Sequence, residues 1–353
     1  MRPQIYAQVA LVAAAAFLTG REGRCQEPVS PVRISLGAVL GGFGVESGPA
    51  EAEIGMVSDV AVAKDGTMFV IDMLAGRVRA VTQLGQYLAG FGRSGGGPGE
   101  FGEALAVAYN DQASEVYVLD NRLARISVLT WDGAIFGYSR SIERVPWALD
   151  LCYMGGRLYL YAPLTDGAAG VVRTLSITGS ELARFGDPFG AGESPMVQRI
   201  HGLALLTCLP HLDMLTLTSE SQGSARAYSA DGRILWESGP PRGFRPKPME
   251  VTASGGVRFD VEGSDKPIDR HDAVFSVGSD IIGLQYERRA EGRSPGLSTG
   301  TERFTVLYSA PTGKVLGVQR GLPRIIAALD SIAYIAENEP FPRVESRKVL
   351  IEK

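Results

Sequence analysis

The segments "DGTMFVIDMLAGRVRAVTQLGQYLAGFG" (residues 65–92) and "SEVYVLDNRLARISVLTWDGAIFGYS" (residues 114–139) are two copies of one pattern. Asp72 and Asp120 occupy the same place in the two copies, 48 positions apart, and so do Gly85 and Gly133. Within each copy, short apolar runs alternate with Asn, Asp, Ser and Gly, which is typical of strands and turns rather than of helices. A repeat of this length indicates a unit of several strands.

Hairpin glycines continue the pattern through the rest of the chain. They lie in "TQLGQ", "TWDGA", "SITGS", "SADGR" and "APTGK", at intervals of 48, 46, 53 and 81 residues. Glycine suits these loops because hairpin turns need a positive φ. The last interval is long because it holds two loop insertions. About four strands in each unit of some 45 to 50 residues predict a β-propeller.

The repeat divides the chain into six units, near residues 56–101, 102–145, 146–197, 198–268, 269–322 and 323 to the C-terminus. The sixth unit has only three predicted strands, whereas "VRISLGAVL" (residues 32–40) is a strand without a partner. Pairing the two closes the ring and removes two exposed strand edges. The expected fold is therefore an all-β, six-bladed propeller of four-stranded antiparallel blades, forming one domain over residues 26–353.

The glycine-rich stretch "FGRSGGGPGEFG" (residues 91–102) raises the alternative of a phosphate-binding loop. Gly97, Gly99 and Gly102 satisfy the spacing G-x-G-x-x-G. That fingerprint binds a dinucleotide only where a helix follows, because the helix N-terminus holds the pyrophosphate. The residues after Gly102 have the pattern of strands and turns. We therefore expect a connector between two blades, without bound nucleotide.

The connector "FGRSGGGPGEF", followed by "ALAVAYNDQASEVYVLDNRLARISVLTWDGAIF", resembles the NHL repeat over residues 43–140. NHL units join through a glycine-rich connector that ends in Phe. The chain also resembles the exported bacterial six-bladed propellers. These resemblances imply the six-bladed fold and leave the activity open, since one fold serves many functions.

The N-terminal segment has the pattern of a secretory signal peptide. Arg2 precedes an apolar run from Ile5 to Leu18, which is shorter than the ~20 residues of a membrane span. We expect residues 1–25 to be removed before Gln26, giving a periplasmic or extracellular protein. No later segment has the length and apolarity of a membrane span.

Cleavage at that point leaves two of the three cysteines, Cys152 and Cys208. They could form a disulfide in an oxidising compartment, or remain as buried thiols. The sequence leaves both possibilities open.

Composition limits the partners and the chemistry. The formal net charge is −4 and the isoelectric point is near 5.6, so no general basic field attracts nucleic acid. No G-x-S-x-G spacing lies between a predicted strand and a predicted helix, as a nucleophile elbow requires, and the cysteines lack a nucleophile context. The sequence favours a monomeric, non-catalytic protein without a cofactor.

Propeller ligands usually bind where the innermost strands begin, around the central channel. The residues expected at those positions are Asp59, Glu103, Trp147, His201, His271 and Arg324. We interpret this set as the mouth of a binding site for a protein, peptide or carbohydrate ligand.

A metal-dependent enzyme is the alternative. His201 and His271 resemble the axial histidines that hold zinc in the peptide-amidating lyases, which need three. The third histidine, His211, is expected to face elsewhere. The lactonase and paraoxonase class instead holds calcium through axial oxygens, which Asp59 and Glu103 could supply. One zinc or calcium ion in a lyase or lactonase of the propeller type is thus the competing hypothesis.

One repeated pair of residues is interpreted as scaffold. Arg77 and Arg125 are 48 positions apart and open equivalent strands. We expect them to pair with Asp72 and Asp120.

Overall fold

Six four-stranded antiparallel sheets form the protein in the computed structural model. The structure describes residues 31–163, 169–190, 193, 195–246, 248–253, 256–258, 267–289 and 302–352. The predicted signal peptide lies outside the described residues. Among the described residues, no helix has the length and apolarity needed to cross a membrane.

The strands follow one another from the centre of the ring outward in every blade but the sixth. The chain first forms β1 (Arg33–Phe43), which belongs to the sixth blade. Blade 1 contains β2 (Val57–Val62), β3 (Met68–Asp72), β4 (Arg77–Val81) and β5 (Tyr87–Phe91). Blade 2 contains β6 (Ala104–Asn110), β7 (Glu115–Asp120), β8 (Arg125–Trp131) and β9 (Phe136–Glu143). Blade 3 contains β10 (Asp150–Met154), β11 (Arg157–Tyr161), β12 (Val172–Ser176) and β13 (Glu181–Phe185).

A short helix, α1 (Pro195–His201), leads into blade 4. Blade 4 contains β14 (Ala204–Leu209), a 3₁₀ turn (Pro210–Leu212), β15 (Met214–Ser219), β16 (Ala225–Ser229) and β17 (Ile234–Ser238). A two-stranded hairpin of β18 (Glu250–Val251) and β19 (Val257–Arg258) precedes blade 5. Blade 5 contains β20 (Ile268–Val277), β21 (Ile281–Arg289), β22 (Glu302–Ser309) and β23 (Val315–Arg320). Blade 6 combines β24 (Ile325–Leu329), β25 (Ile332–Glu337) and β26 (Arg343–Glu352) with β1.

Ring closure occurs as the sequence predicts. Strand β1 is antiparallel to β26, with pairs running from Arg33 and Glu352 to Phe43 and Val344. It supplies the fourth strand that the C-terminal unit lacks. The predicted six-bladed fold and its closure by the N-terminal strand are confirmed.

The core lies between the blades, and β3 shows why its sequence is a continuous apolar run. Successive side chains of a strand point to opposite faces of the sheet. Phe69 and Ile71 pack towards blade 2, whereas Met68 and Val70 pack towards blade 6. Because both faces are covered, the strand "MFVID" is buried throughout.

The glycine-rich stretch is the connector from β5 to β6, as expected. The guanidinium of Arg125 holds it, since Nη2 donates hydrogen bonds to the carbonyl oxygens of Gly97 and Glu100 at 2.7 and 2.9 Å. The carboxylate of Glu100 accepts a hydrogen bond from the backbone N–H of Gly97 at 2.8 Å. Hydrogen bonds from Arg125 and to Glu100 thus hold the connector in place.

The predicted ion pair between Arg77 and Asp72 is wrong. These residues are cross-strand neighbours in the backbone, but the Arg77 side chain is exposed. The buried carboxylate of Asp72 is paired with Arg79 instead. The carboxylate of Asp120 accepts hydrogen bonds from backbone N–H groups, including that of Gly102 at 2.6 Å. These carboxylates are still scaffold, because they fix the loops that lead into blades 1 and 2.

Candidate channel site

The inner strands enclose a cavity of about 890 Å³, which all six blades line and which we call the chamber. Its wall consists of residues 59–62, 64, 107–112, 151–156, 206–211, 274–276 and 326–329. The outermost of these residues belong to turns that follow the inner strands, and most of them are exposed. The chamber therefore opens at the end of the ring where the inner strands finish.

Polar residues surround this opening. Lys64, Gln112 and His211 are exposed, and Asp111 is half-buried. His211 lies at the end of β14 opposite to His201, where the 3₁₀ turn after that strand brings it to the chamber. Partial burial lowers the pKa of its imidazole, which favours the neutral ring at neutral pH.

Farther in, the wall is largely apolar. Ala61, Val62 and Ala328 are half-buried wall residues, as are Tyr109 and Tyr153. A narrow space with apolar walls and a polar rim is the usual form of a small-ligand pocket.

Two carboxyl groups lie on the inner strands of alternate blades. Asp59 of β2 accepts a hydrogen bond from the backbone N–H of Val107 at 2.8 Å, and Asp150 of β10 accepts one from Leu206 at 2.8 Å. Burial raises the pKa of both carboxyls. For Asp150, burial and then repulsion from Asp59 raise the pKa to about 8. These acids titrate as an interacting pair, one of which keeps its proton near neutral pH.

Arg324 lies close enough to Asp59 for its positive charge to offset part of the rise in pKa that burial causes in that carboxyl. Its Nε donates a hydrogen bond to the carbonyl oxygen of Asp272 at 3.0 Å, and its backbone N–H donates to Glu337 at 2.8 Å. Arg303 joins Asp272 and Glu337, with 3.0 Å from a guanidinium nitrogen to each carboxylate. Asp59 and Arg324 are thus brought together.

The two candidate zinc ligands both have protein partners. His201 ends α1, and its Nδ1 lies 2.7 Å from a carboxylate oxygen of Glu193 and 2.7 Å from the amide nitrogen of Gln222. His271 is buried in β20, where Nδ1 donates to the carbonyl oxygen of Gln285 at 3.1 Å. Burial lowers the pKa of His271, so the neutral ring is favoured.

A metal site is not complete in the part of the chain that the structure describes. Within those ranges, no group of three or more His, Cys, Asp or Glu residues is arranged to hold one ion. The zinc and calcium hypotheses therefore find no fitting set of ligands there.

The remaining two predicted residues lie in connectors between blades. Glu103 precedes β6 and Trp147 precedes β10, and both side chains are exposed. Trp147 is 61% exposed and has a left-handed backbone, with φ at 61°. Of the six predicted mouth residues, Asp59 is part of the chamber wall, and the other five are not.

A disulfide crosses the chamber wall. Cys152 of β10 and Cys208 of β14 are bonded, with 5.6 Å between their Cα atoms. It joins the inner strands of blades 3 and 4, and both residues line the chamber. Of the two possibilities that the sequence leaves open, the structure has the disulfide.

No protein-family model matches the sequence, and no curated protein matches it. The structure is similar to a member of the DUF4221 family from Bacteroides vulgatus, with a TM-score of 0.61, 10% identity, and 92% of this chain and 99% of that chain covered. It is also similar to a putative exported protein from Bacteroides fragilis, with a TM-score of 0.60, 12% identity, and coverage of 92% and 97%. At these identities the likeness shows the fold alone: the chain shares the six-bladed architecture of exported Bacteroides propellers.

Proposed function

We propose that the protein is an exported, non-catalytic propeller that binds a peptide segment, free or part of a partner protein, in the chamber. The observation that carries this proposal is the chamber itself, which all six blades line. Its volume of about 890 Å³ lies within the ~300–1,000 Å³ of pockets that enclose small ligands. The proposed binding site is therefore at the end of the ring where the inner strands finish. The sequence predicts it at the other end, where these strands begin.

The wall chemistry favours a peptide over a carbohydrate. Half-buried apolar groups such as Ala61, Val62 and Ala328 suit an apolar side chain. The rim groups of Gln112 and Asp111 can hydrogen-bond to backbone amides. A carbohydrate would present many hydroxyl groups to these apolar walls, and each unpaired hydroxyl would lose free energy.

Export is supported by two independent observations. The Cys152–Cys208 disulfide is typical of oxidising compartments, and the first 25 residues have the pattern of a signal peptide. N-terminal sequencing of protein from the periplasm or medium tests this directly. Mature protein starting near Gln26 is expected, and soluble exported protein that retains Arg2 would contradict cleavage.

Binding is tested by filling the chamber. A peptide selected on the wild-type protein from a display library should bind Ala61→Trp at least tenfold more weakly, because the indole occupies the apolar wall. The matched control is Trp147→Ala, which changes an exposed side chain outside that wall and should bind normally. Thermal unfolding of both variants checks their folding. Loss of binding in Trp147→Ala alone would move the site back to the mouth predicted from the sequence.

The enzymatic alternative has its own measurement. Metal analysis of the purified protein should show no stoichiometric zinc or calcium. One ion per chain that disappears in the double variant His201→Ala, His271→Ala would establish a metal site and overturn the non-catalytic proposal.

A further inference from the structure

We propose that the Cys152–Cys208 disulfide is an exchange site for small thiols that reach it through the chamber. Both cysteines are half-buried, and both are wall residues of the chamber. The bond joins two inner strands of neighbouring blades, so one side of it faces the channel. This inference is independent of the proposed peptide ligand.

The chamber sets a size limit on the reductant. In thiol–disulfide exchange, the attacking thiolate must touch one of the two sulfurs. A cavity of about 890 Å³ admits small molecules. A folded reductase carries its thiol on its own surface and cannot enter. Small thiols should therefore react with the native protein, whereas a thioredoxin-type enzyme should not.

The reaction balances with two molecules of a low-molecular-weight thiol. The first thiolate attacks one cysteine sulfur, breaks the disulfide and forms a mixed disulfide, and the other cysteine leaves as a thiolate. A second thiolate attacks the small-molecule sulfur of the mixed disulfide and releases the second cysteine thiolate. The two small thiols are oxidised to their disulfide, and the two cysteine thiolates take up protons from the solvent.

The entrance adds a selectivity for charge. Five of the turns that follow inner strands carry an aspartate: Asp65, Asp111, Asp213, Asp280 and Asp330. Lys64 and Arg157, both exposed, are the lysine and arginine residues in or next to the turns that follow the inner strands. The entrance is therefore negative on balance, and a field of this kind concentrates cations and repels anions. A cationic thiol should exchange faster than an anionic one.

The fold should survive the reaction. Every blade is held by its own strand pairs, and Asp150 still joins blade 3 to the Leu206 N–H of blade 4. Ring closure between β1 and β26 lies in blade 6, away from the disulfide. Exchange can thus be measured on folded protein.

The experiment exposes native protein to cysteamine, 2-mercaptoethanol or 2-mercaptoethanesulfonate, followed by alkylation and mass spectrometry of the peptides containing Cys152 and Cys208. Each rate is divided by the rate of the same thiol with oxidised 2-mercaptoethanol, an uncharged reference disulfide. We expect both cysteines to be labelled, with a corrected rate about tenfold higher for cysteamine than for the sulfonate at low salt. The ratio should fall towards one at 1 M salt, where the Debye length is about 3 Å.

The double variant Asp213→Asn, Asp330→Asn should reduce the ratio at low salt. Both positions have a left-handed backbone, with φ at 49° and 54°, which asparagine tolerates. The control Asp132→Asn changes an exposed hairpin residue and should leave the ratio unchanged. Labelling that appears only under unfolding conditions, or equally fast reduction by thioredoxin, would overturn the exchange site. Equal corrected rates for the three thiols with the wild-type protein would overturn entry through the acidic opening.

Discussion

The carboxylate of Asp150 in blade 3 accepts a hydrogen bond from the backbone N–H of Leu206 in blade 4, with 2.8 Å between oxygen and nitrogen. Asp59 makes the same link from blade 1 to Val107 of blade 2. A buried carboxyl is costly unless it is hydrogen-bonded. Here these hydrogen bonds reduce the cost and link neighbouring inner strands, so the two acids tie blades together.

This arrangement predicts a pH dependence of stability. Burial and the charge of Asp59 raise the pKa of Asp150 to about 8, against about 3.9 in an unfolded chain. The contribution of a group with a raised pKa is fully present below about pH 4 and is lost as the pH rises towards 8. Asp150→Asn removes this titration while its amide oxygen can still accept the Leu206 N–H bond.

The free energy of unfolding of Asp150→Asn should therefore rise relative to wild type between pH 5 and pH 9, as measured by urea unfolding. The control is Asp132→Asn, because backbone hydrogen bonds lower the pKa of exposed Asp132 and it stays ionised across this range. If the difference in the free energy of unfolding between Asp150→Asn and the wild type does not change with pH, the predicted titration is contradicted.

The disulfide should contribute substantially to stability. It closes a loop with a sequence separation of 56 residues. The loop-entropy model then gives a loss of about 4 kcal/mol in the free energy of unfolding for the double variant Cys152→Ser, Cys208→Ser. Fully reduced wild-type protein serves as the control and should unfold at the same denaturant concentration. A loss below about 1 kcal/mol would show that the unfolded chain gains little freedom when the bond is absent.

Ring closure can be tested on a single strand. Ile34 of β1 is 3% exposed and packs in a cluster with Phe275 and Leu307, whereas Val39 of the same strand is 49% exposed. Ile34→Ala should lower the free energy of unfolding by about 2–5 kcal/mol, and Val39→Ala by at most ~0.5 kcal/mol. Chemical denaturation measures both. Equal effects of the two substitutions would mean that β1 does not contribute its inner face to the core.

Arg125 should hold the glycine-rich connector. Arg125→Ala removes the donors to the Gly97 and Glu100 carbonyl oxygens and should lower the free energy of unfolding by about 1–3 kcal/mol. Hydrogen exchange of residues 93–102 should become faster. Arg77→Ala is the control, because Arg77 is the repeat equivalent and is exposed. Unchanged exchange in Arg125→Ala would show that the connector is fixed by its other contacts.

The sequence predicts the ring well, because each hairpin glycine marks a turn whose backbone few other residues adopt. Gly85 has φ at 85°, and a Cβ there would overlap the carbonyl oxygen of Gly42 in β1. The repeat therefore predicts the number of blades and their order along the chain. It also locates the strand that completes the sixth blade.

The same repeat is less informative about the channel. It does not tell where along the channel the chamber lies, because that depends on the side chains of six strands taken together. The repeat predicts His201 at the start of an inner strand, but it ends α1. The signals were a proline at the first helical position, Pro195, and a glycine after the last, Gly202. Asp150 opens β10 next to the hydrophobic "LCYM", and nothing local indicates its interaction with Asp59.

Closure of blade 6 by β1 also constrains the order of assembly during synthesis. Arg33 is among the first described residues to leave the ribosome, and its partner Glu352 is among the last. Strand β1 therefore has no native neighbour in its sheet until β26 has also been synthesised. Throughout that time its backbone is open to pairing with other chains. The pairing of β1 with β26 ends this exposure, and it is slow to form because the two strands are far apart in the sequence. A chaperone that covers β1 during that time would keep its backbone from pairing with other chains.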